Sequence, residues 1–481
     1  MLESVNRLLK HTGIYLIGNI INRIGAFVLL PLYTNYLTTQ QYGALELIYS
    51  VNAVLSVILG AGLSHSTLRF YFEYKDKTKA NSVIVTNVYL TTLFGALGLL
   101  IALLFSRDLT ILLFDNADYL LAIRIALVII LIELLSEIFF AYLRALEKSV
   151  LYVALSFLKL ISQVTFSIYF VKYEGMDVLG VLQANMISVS LVGVILMLYT
   201  FKKVGVRYNR SVVWPIIQYS VPFAGSSIVG VVLINADKFI LQKITDLSEV
   251  GIYSLAMKFS LLLSFLIIEP FQRSYGAYRF AIMDDPNSKK INAKVAEYLA
   301  IVSVWIGLGV SFFVEDVLYI MSDASFWPAA SLVPILCFGV ILNALMYCFQ
   351  TGMLIEKRTK YILYMTIVAS FLNVFGNIIL INYYGAIGAA VTFLVTNVFF
   401  VIATYVISQK LYPIPYDIPV LVKYLLIGIL LFVLVDLYEG IYWIEFILKV
   451  FVSIAYPVAI LMLNQELKKY VYGLVKRTAQ G

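Results

Sequence analysis

Residues Thr12 to Leu37 read TGIYLIGNIINRIGAFVLLPLYTNYL, a segment that is apolar and long enough to cross a bilayer. Arg23 lies near its midpoint, where a charge costs at least ~2.5–3.5 kcal/mol. Asn19, Asn22 and Tyr15 extend a polar stripe around this arginine. Such a stripe is expected to face water or protein rather than lipid, and our hypothesis is that it faces an anion.

The whole chain has the composition of a polytopic membrane protein. Of its 481 residues, 62% are hydrophobic and only 13% are charged, which soluble domains of this length do not show. The first apolar segment is too long for a cleavable signal peptide and has no small-residue cleavage site after it. Cys337 and Cys348 fall within one predicted span, so neither a disulfide framework nor a thiolate metal site is expected.

Apolar runs between polar breaks predict an all-α integral membrane protein with fourteen transmembrane helices. They are read as helices because the strands of a membrane barrel would be about half as long and would alternate every second residue. The predicted spans are 12–37, 44–68, 81–106, 119–143, 150–172, 177–201, 215–242, 250–272, 293–314, 326–353, 361–382, 386–409, 420–438 and 442–463.

The distribution of basic residues supports this number of spans and predicts the topology. With the N-terminus in the cytoplasm, 26 of the 35 Lys and Arg residues fall in regions that are then inside. The outside loops hold only Arg107, Lys172 and Lys243, together with a collection of Asp and Glu residues. This bias follows the positive-inside rule, and it predicts a multi-pass protein with both termini in the cytoplasm.

A faint internal repeat predicts two similar halves. Gly43 in QYGALEL matches Gly251 in EVGIYSL, and Gly180 matches Gly388, both at an offset of 208 residues. The predicted units are an N-terminal six-helix lobe at 1–205, a C-terminal six-helix lobe at 211–412, and two additional helices with a cytoplasmic tail at 413–481. Because six is even, the lobes share an orientation and should be related by a pseudo-twofold axis along the membrane normal, with a substrate path between them.

Basic residues within spans are candidates for function because charge is costly in lipid. There are six of them, Arg23, Arg124, Lys159, Lys238, Lys258 and Lys449. The residues assigned to substrate binding are Arg23, Lys258, Asn19, Asn22, Lys159 and Lys238. The alternatives are an ion pair that only holds helices together, or a long side chain that snorkels to the interface, and snorkelling is preferred for Arg124 and Lys449.

Four acidic residues complete the candidate site. Glu133 and Glu137 lie one turn apart on the fourth span, Asp237 adjoins Lys238, and Glu269 precedes Pro270 where a kink is expected. An intramembrane carboxylate can serve a proton- or Na⁺-coupled step, or it can be the counter-ion of a buried base. Apart from such a coupling ion, no cofactor and no metal is predicted.

Catalytic motifs are absent from the sequence. It contains no G-x-x-x-x-G-K-[ST], HExxH or GxSxG pattern, and its longest polar stretch, 273–294, is too short for a nucleotide-binding domain. The protein is therefore not predicted to be an enzyme. Nucleic acid is not an expected partner, because the positive charge follows membrane topology.

Several segments carry a family resemblance, namely the first span with Arg23, LLPLYTNYLTTQQYGALEL, GLSHSTLRFYFEY, NADKFILQKITDLSEVGIYSLAMKFS and YYGAIGAAVTFLVTN. They resemble the polysaccharide-biosynthesis flippases, which handle lipid-linked oligosaccharides, of the multidrug/oligosaccharidyl-lipid/polysaccharide exporter superfamily. The resemblance implies two lobes around a central cavity in the bacterial cytoplasmic (inner) membrane. It also implies O-antigen or capsule synthesis, with a lipid-linked oligosaccharide, membrane lipids and polysaccharide assembly proteins as partners.

By this resemblance, Arg23 and Lys258 match basic positions that contact the pyrophosphate of the lipid-linked glycan. Physical chemistry agrees, because a cationic cavity replaces the hydration of phosphate with charge-assisted hydrogen bonds and rocking lobes give alternating access. The main alternative is a cation-coupled multidrug exporter, which needs an acid in the lobe cavity, whereas the first span offers Arg23. A non-transporting membrane scaffold is less favoured, since it has no use for six basic residues within spans.

Overall fold

The computed structural model describes residues 25, 27–438 and 440–463. Over these residues the chain is helical and contains no strand, which confirms the predicted all-α fold. Arg23, Asn19 and Asn22 lie outside the described residues. The described chain forms two compact units that divide after Gly251.

The first unit contains nine helices within the described residues and the start of a tenth. Their bounds are α1 Leu30–Tyr36, α2 Thr39–Gly60, α3 Leu63–Glu73, α4 Lys77–Leu104, α5 Ser106–Phe114, α6 Leu120–Ala145, α7 Ser149–Ser167, α8 Val178–Val204 and α9 Val213–Ile244. A π-helical turn, Ile168–Tyr173, extends α7. Helix α10, Leu247–Leu263, begins in this unit and continues into the second.

The second unit continues from α10 through a π-helical turn at Ser264–Ile268. Its further helices are α11 Glu269–Ala281, α12 Ser288–Met321, α13 Ala329–Phe349, α14 Thr351–Ile355, α15 Lys360–Leu411, α16 Ile418–Asp436 and α17 Tyr442–Leu463. The long α12 packs against α13, α16 and α17, and their apolar side chains form the core of this unit.

Eleven helices of the described chain are long and apolar enough to cross a membrane. One of them, α15, has 52 residues and breaks at Gly385, whose φ of 55° and ψ of −134° suit only glycine. It therefore covers the two predicted spans at 361–382 and 386–409. The 32-residue α9 is not among the eleven, and the predicted first span lies partly outside the described residues. The number fourteen stays a prediction.

Helix α2 begins in the short TTQQYG segment through a capping box. The backbone N–H of Gln41 donates to Thr38 Oγ1 at 3.2 Å, and the backbone N–H of Thr38 donates to Gln41 Oε1 at 2.9 Å. One turn later Gly43 meets the backbone carbonyl of Leu247, and Gly251 meets that of Thr39. A side chain on either glycine would collide with backbone, so the glycine pair equated by the sequence repeat lies at one close helix crossing.

A helix break between α2 and α3 shapes the interior of the first unit. The sequence predicts one continuous span at 44–68, but Ala61 and Gly62 are both left-handed, with φ of 45° and 70°. Helix α2 therefore ends at Gly60, and α3 starts in a new direction at Leu63. Helix α6 packs against α4 and α8 beside this break, and the space left there is the cavity described below.

Candidate functional site

A cavity of about 430 Å³ lies within the first unit, beside the α2–α3 break. It is bordered by residues of α2, α3, α4, α6, α7, α8 and α9. Its chemically versatile lining residues are Ser64, His65, Glu133, Ser136, Glu137 and Lys159. Three of the predicted site residues, Glu133, Glu137 and Lys159, are thus brought together. His65, at the start of α3, was not among the predicted site residues, and its position beside the cavity depends on the helix break.

Lys159 and Glu133 form an ion pair across this cavity. Lys159 Nζ on α7 donates to Glu133 Oε1 on α6 at 3.1 Å, and both side chains are partly open. An open pair contributes only about 0–1 kcal/mol, because water screens it and holding two long side chains costs entropy. The pair can therefore break and re-form at small cost, as a site that handles charge requires.

Glu137 is a carboxylate without a partner in the described chain. It lies one turn after Glu133 on the same side of α6, its side chain is exposed, and it borders the cavity. Lys159 pairs with Glu133, so these three side chains comprise two carboxylates and one lysine. Within the described residues, this lining suits a cation better than an anion.

Lys238 and Asp237 lie on α9, away from the residues that line the cavity. Lys238 Nζ pairs with Glu46 Oε2 on α2 at 3.3 Å, and both side chains are largely buried. The backbone N–H of Lys238 donates to Asp237 Oδ1 at 2.9 Å. Lys238 thus forms an ion pair, one of the alternatives left open above for basic residues within spans. The partner Glu46 was missed because it is 192 residues distant in sequence.

Lys258 and Glu269 lie in the second unit. Lys258 is half-buried in α10, and Glu269 is the first residue of α11, where Arg273 Nη2 approaches its Oε2 to 3.8 Å. A π-helical turn, Ser264–Ile268, directly precedes Pro270, where the sequence predicts a kink. Proline has no N–H to give to the helix, so the regular hydrogen-bond pattern is interrupted there.

The snorkelling predicted for Lys449 is wrong. Its side chain is buried, and its Nζ contacts Asp316 Oδ2 at 3.2 Å and Glu445 Oε1 at 2.7 Å. The error came from ending a span at 314, whereas α12 continues to Met321 and carries Asp316 within the helix. Arg124, also predicted to snorkel, donates from Nε to Ser106 Oγ at 3.1 Å.

Comparison with known proteins identifies what this architecture is similar to. The family described as Polysaccharide biosynthesis protein matches residues 8–275. No curated protein sequence matches the chain. Among solved structures, the lipid II flippase MurJ in an inward closed conformation has a TM-score of 0.75 at 13% identity, covering 93% of this chain and 98% of that one.

Two structures of a multidrug resistance MATE family transporter of the MOP superfamily are also similar. The inward-facing conformation has a TM-score of 0.60 at 16% identity, covering 85% of this chain and 95% of that one. The outward-facing conformation has a TM-score of 0.60 at 15% identity, covering 84% and 95%. At such identities the likeness shows the fold alone, which this chain shares with these three structures.

Proposed function

The chain belongs to the polysaccharide biosynthesis protein family, and from this premise we propose that it is a flippase for a polyprenyl-pyrophosphate-linked oligosaccharide. The proposed direction is from the inner to the outer leaflet of the bacterial cytoplasmic membrane. The observation that carries the proposal is the likeness of fold to a lipid II flippase, which extends over 93% of the chain. A lipid-linked substrate and membrane lipids follow as partners, and polysaccharide assembly proteins are proposed as well.

The proposed substrate contacts are basic and amide side chains. An ionised pyrophosphate costs many kcal/mol to desolvate, so a protein path must replace its hydration. Arg23 and Lys258 would do so with charge-assisted hydrogen bonds, and Asn19 and Asn22 would bind sugar hydroxyls or phosphate oxygens. Two six-helix lobes rocking about this site would give alternating access while the lipid tail stays in the bilayer.

The cavity of the first unit is the proposed coupling site. Glu137 has no partner in the described chain, and the neighbouring Glu133–Lys159 pair is open enough to rearrange. A proton or Na⁺ taken up by Glu137 would neutralise its carboxylate, and release of that cation would restore the negative charge. Inward movement of such a cation down its gradient can drive outward movement of the substrate by conformational coupling.

A cation-coupled multidrug exporter is the second candidate, and one observation favours it. The described lining of the cavity holds two carboxylates and one lysine, a set that would also suit a cationic drug. The two functions differ in what accumulates when the protein is removed, because only the flippase leaves a lipid-linked glycan on the cytoplasmic face.

The test is therefore depletion of the protein in its own host, followed by measurement of lipid-linked oligosaccharide on each face of the membrane. The flippase function predicts accumulation on the cytoplasmic face, rescue by the wild-type chain and by the control variant Arg107→Ala, and no rescue by Arg23→Ala. If the glycan distribution is unchanged and sensitivity to cationic drugs increases, the exporter function replaces the flippase function.

A further inference from the structure

Arg279 is a buried cation with no carboxylate partner in the described chain. It lies two residues before the end of α11 and is 6% exposed. Its Nε and Nη1 atoms are buried and have no hydrogen-bond partner. A guanidinium stays protonated in proteins, and a buried charge is normally paired, so this side chain calls for an explanation.

Three aromatic rings surround the guanidinium. The distances from Arg279 Cζ to the ring centroids are 4.9 Å for Tyr347, 5.2 Å for Phe280 and 5.8 Å for Tyr275. Ring faces attract a cation through their quadrupole, but they carry no net charge. The rings therefore hold Arg279 in position while its positive charge remains uncancelled, which an ion pair with a carboxylate would not allow.

Hydrogen bonds fix two of these rings from the outside. The Tyr275 hydroxyl donates to Asn292 Oδ1 at 2.6 Å, and the Tyr347 hydroxyl donates to the carbonyl of Gln272 at 3.2 Å. The nearby thiol of Cys348 is buried and free. No acidic side chain of the described residues therefore balances the guanidinium in this arrangement.

The position of Arg279 along the helix places it at the level of lipid head groups. The helical segment Leu247–Ala281 has 35 residues, whereas about 20 residues at 1.5 Å each cross the hydrocarbon core. Arg279 lies near the end of this segment, beyond that length. Lys289 and Lys290 follow shortly after it in sequence, and the predicted topology puts this basic segment on the cytoplasmic side.

We propose that Arg279 is the anchoring residue of a phosphate-binding site, distinct from the cavity of the first unit. The planar guanidinium can donate two parallel hydrogen bonds to two oxygens of one oxyanion. A halide ion has no such pair of oxygens, and a lysine ammonium lacks the planar pair of donors. The phosphate can be inorganic phosphate or the head group of an anionic phospholipid. Because the rings cover the donors, binding requires one ring to turn aside.

The site does not rest on the proposed transport function, and purified protein tests it. The full chain in phosphatidylcholine nanodiscs is heated with phosphate or with chloride at equal ionic strength. Phosphate is expected to raise the melting temperature of the wild-type chain in a saturable way. Arg279→Gln should lose this rise, and Arg279→Lys, which keeps the charge but not the fork, should need at least tenfold more phosphate.

Arg273→Gln is the matched control, because this arginine lies on the same helix but is exposed and already approaches Glu269. It should respond to phosphate as the wild type does. A second arm replaces part of the phosphatidylcholine with phosphatidylglycerol in phosphate-free buffer. Stabilisation in this arm that depends on Arg279 identifies a lipid head group as the source, and stabilisation only in the first arm identifies free phosphate.

Several outcomes would overturn the site. One is a wild-type chain that phosphate and phosphatidylglycerol stabilise no more than chloride does, which needs no variant and so survives any folding defect of Arg279→Gln. Another is an Arg279→Gln protein that responds like the wild type. Equal loss of the response in Arg273→Gln would assign the effect to general surface charge.

Discussion

Each of the two units contains a cluster of one lysine and two carboxylates, and the clusters differ in burial. In the first unit Lys159 pairs with Glu133 alone at 3.1 Å, and the two side chains are 31% and 44% exposed. In the second unit Lys449 contacts Asp316 at 3.2 Å and Glu445 at 2.7 Å, and its own side chain is 8% exposed. The same residue types thus form an open pair in one place and a closed triad in the other.

The difference teaches that burial, rather than residue type, separates a movable charge from a fixed one. Removing one partner of a buried pair leaves an uncompensated charge and costs about 3–5 kcal/mol. An open pair is screened by water, and its loss costs about 0–1 kcal/mol. The triad should therefore hold α17 against α12, whereas the open pair is free to serve transport.

The largest expected effect is that of Lys449→Met. It leaves Asp316 buried without a counter-ion and should lower the free energy of unfolding by about 3–5 kcal/mol, measured by denaturation in mixed micelles. Lys243→Met is the control, because Lys243 pairs with Asp115 at 2.7 Å while the two side chains are 43% and 72% exposed. It should cost about 0–1 kcal/mol. Similar losses in the two variants would remove the distinction between closed and open clusters.

Lys238→Met probes the intermediate case. Lys238 and Glu46 are 17% and 5% exposed, so breaking their contact should cost about 2–3 kcal/mol, between the open and buried values. The double variant Lys238→Met with Glu46→Gln removes the stranded carboxylate. It should recover at least ~1 kcal/mol of that loss in the same unfolding experiment, as expected for residues in contact. Additive losses would show that the two side chains do not interact.

Lys159→Met should have a small effect on stability and a larger one on transport. The free energy of unfolding should fall by about 0–1 kcal/mol, because the pair with Glu133 is open. Without its lysine the cavity carries two carboxylates one turn apart, so uptake of a proton or Na⁺ should be tighter and its release slower. Transport by proteoliposomes should therefore need a steeper ion gradient. A stability loss as large as that of Lys449→Met would place this pair with the closed triad.

The smallest change in stability is expected for Glu137→Gln. The substitution keeps the shape of an exposed side chain, so the free energy of unfolding should stay within about 0.5 kcal/mol of the wild type. Transport should nevertheless lose its dependence on the proton or Na⁺ gradient, as followed in proteoliposomes with imposed gradients. Glu137→Asp, which keeps the carboxylate, should retain the dependence. Normal ion dependence in Glu137→Gln would exclude this residue as the coupling site.

Local sequence predicted the helical spans well and the partners of the charges poorly. Apolar runs of about 20 residues identify membrane-spanning helices directly, so the all-α fold follows from the sequence. The partner of Lys238, in contrast, is Glu46 on a different helix, and no local pattern reveals such a contact. Lys449 was misinterpreted for a related reason, because the placement of Asp316 depended on a span end that was several residues too early.

The break at Ala61 and Gly62 was also hidden from the sequence. The stretch from 44 to 68 is apolar enough for one span, and the left-handed Ala61 is a conformation that a non-glycine residue rarely adopts. The cavity depends on this break, so its volume and the position of His65 at its border could not be predicted. Glu133, Glu137 and Lys159 could be proposed, since charge within a span is conspicuous in any apolar sequence.

The break at Gly385 has a practical consequence for mapping the topology of this protein. The two helical segments of α15 join there at a sharp break without a loop, and the aromatic residues Tyr383 and Tyr384 precede the break. No extended loop is available for a protease to cut or for an epitope tag to occupy, so an insertion would separate segments that the backbone joins directly. Single cysteines labelled with a small reagent should show on which side of the membrane this turn lies. Larger inserted reporters would disrupt the turn itself.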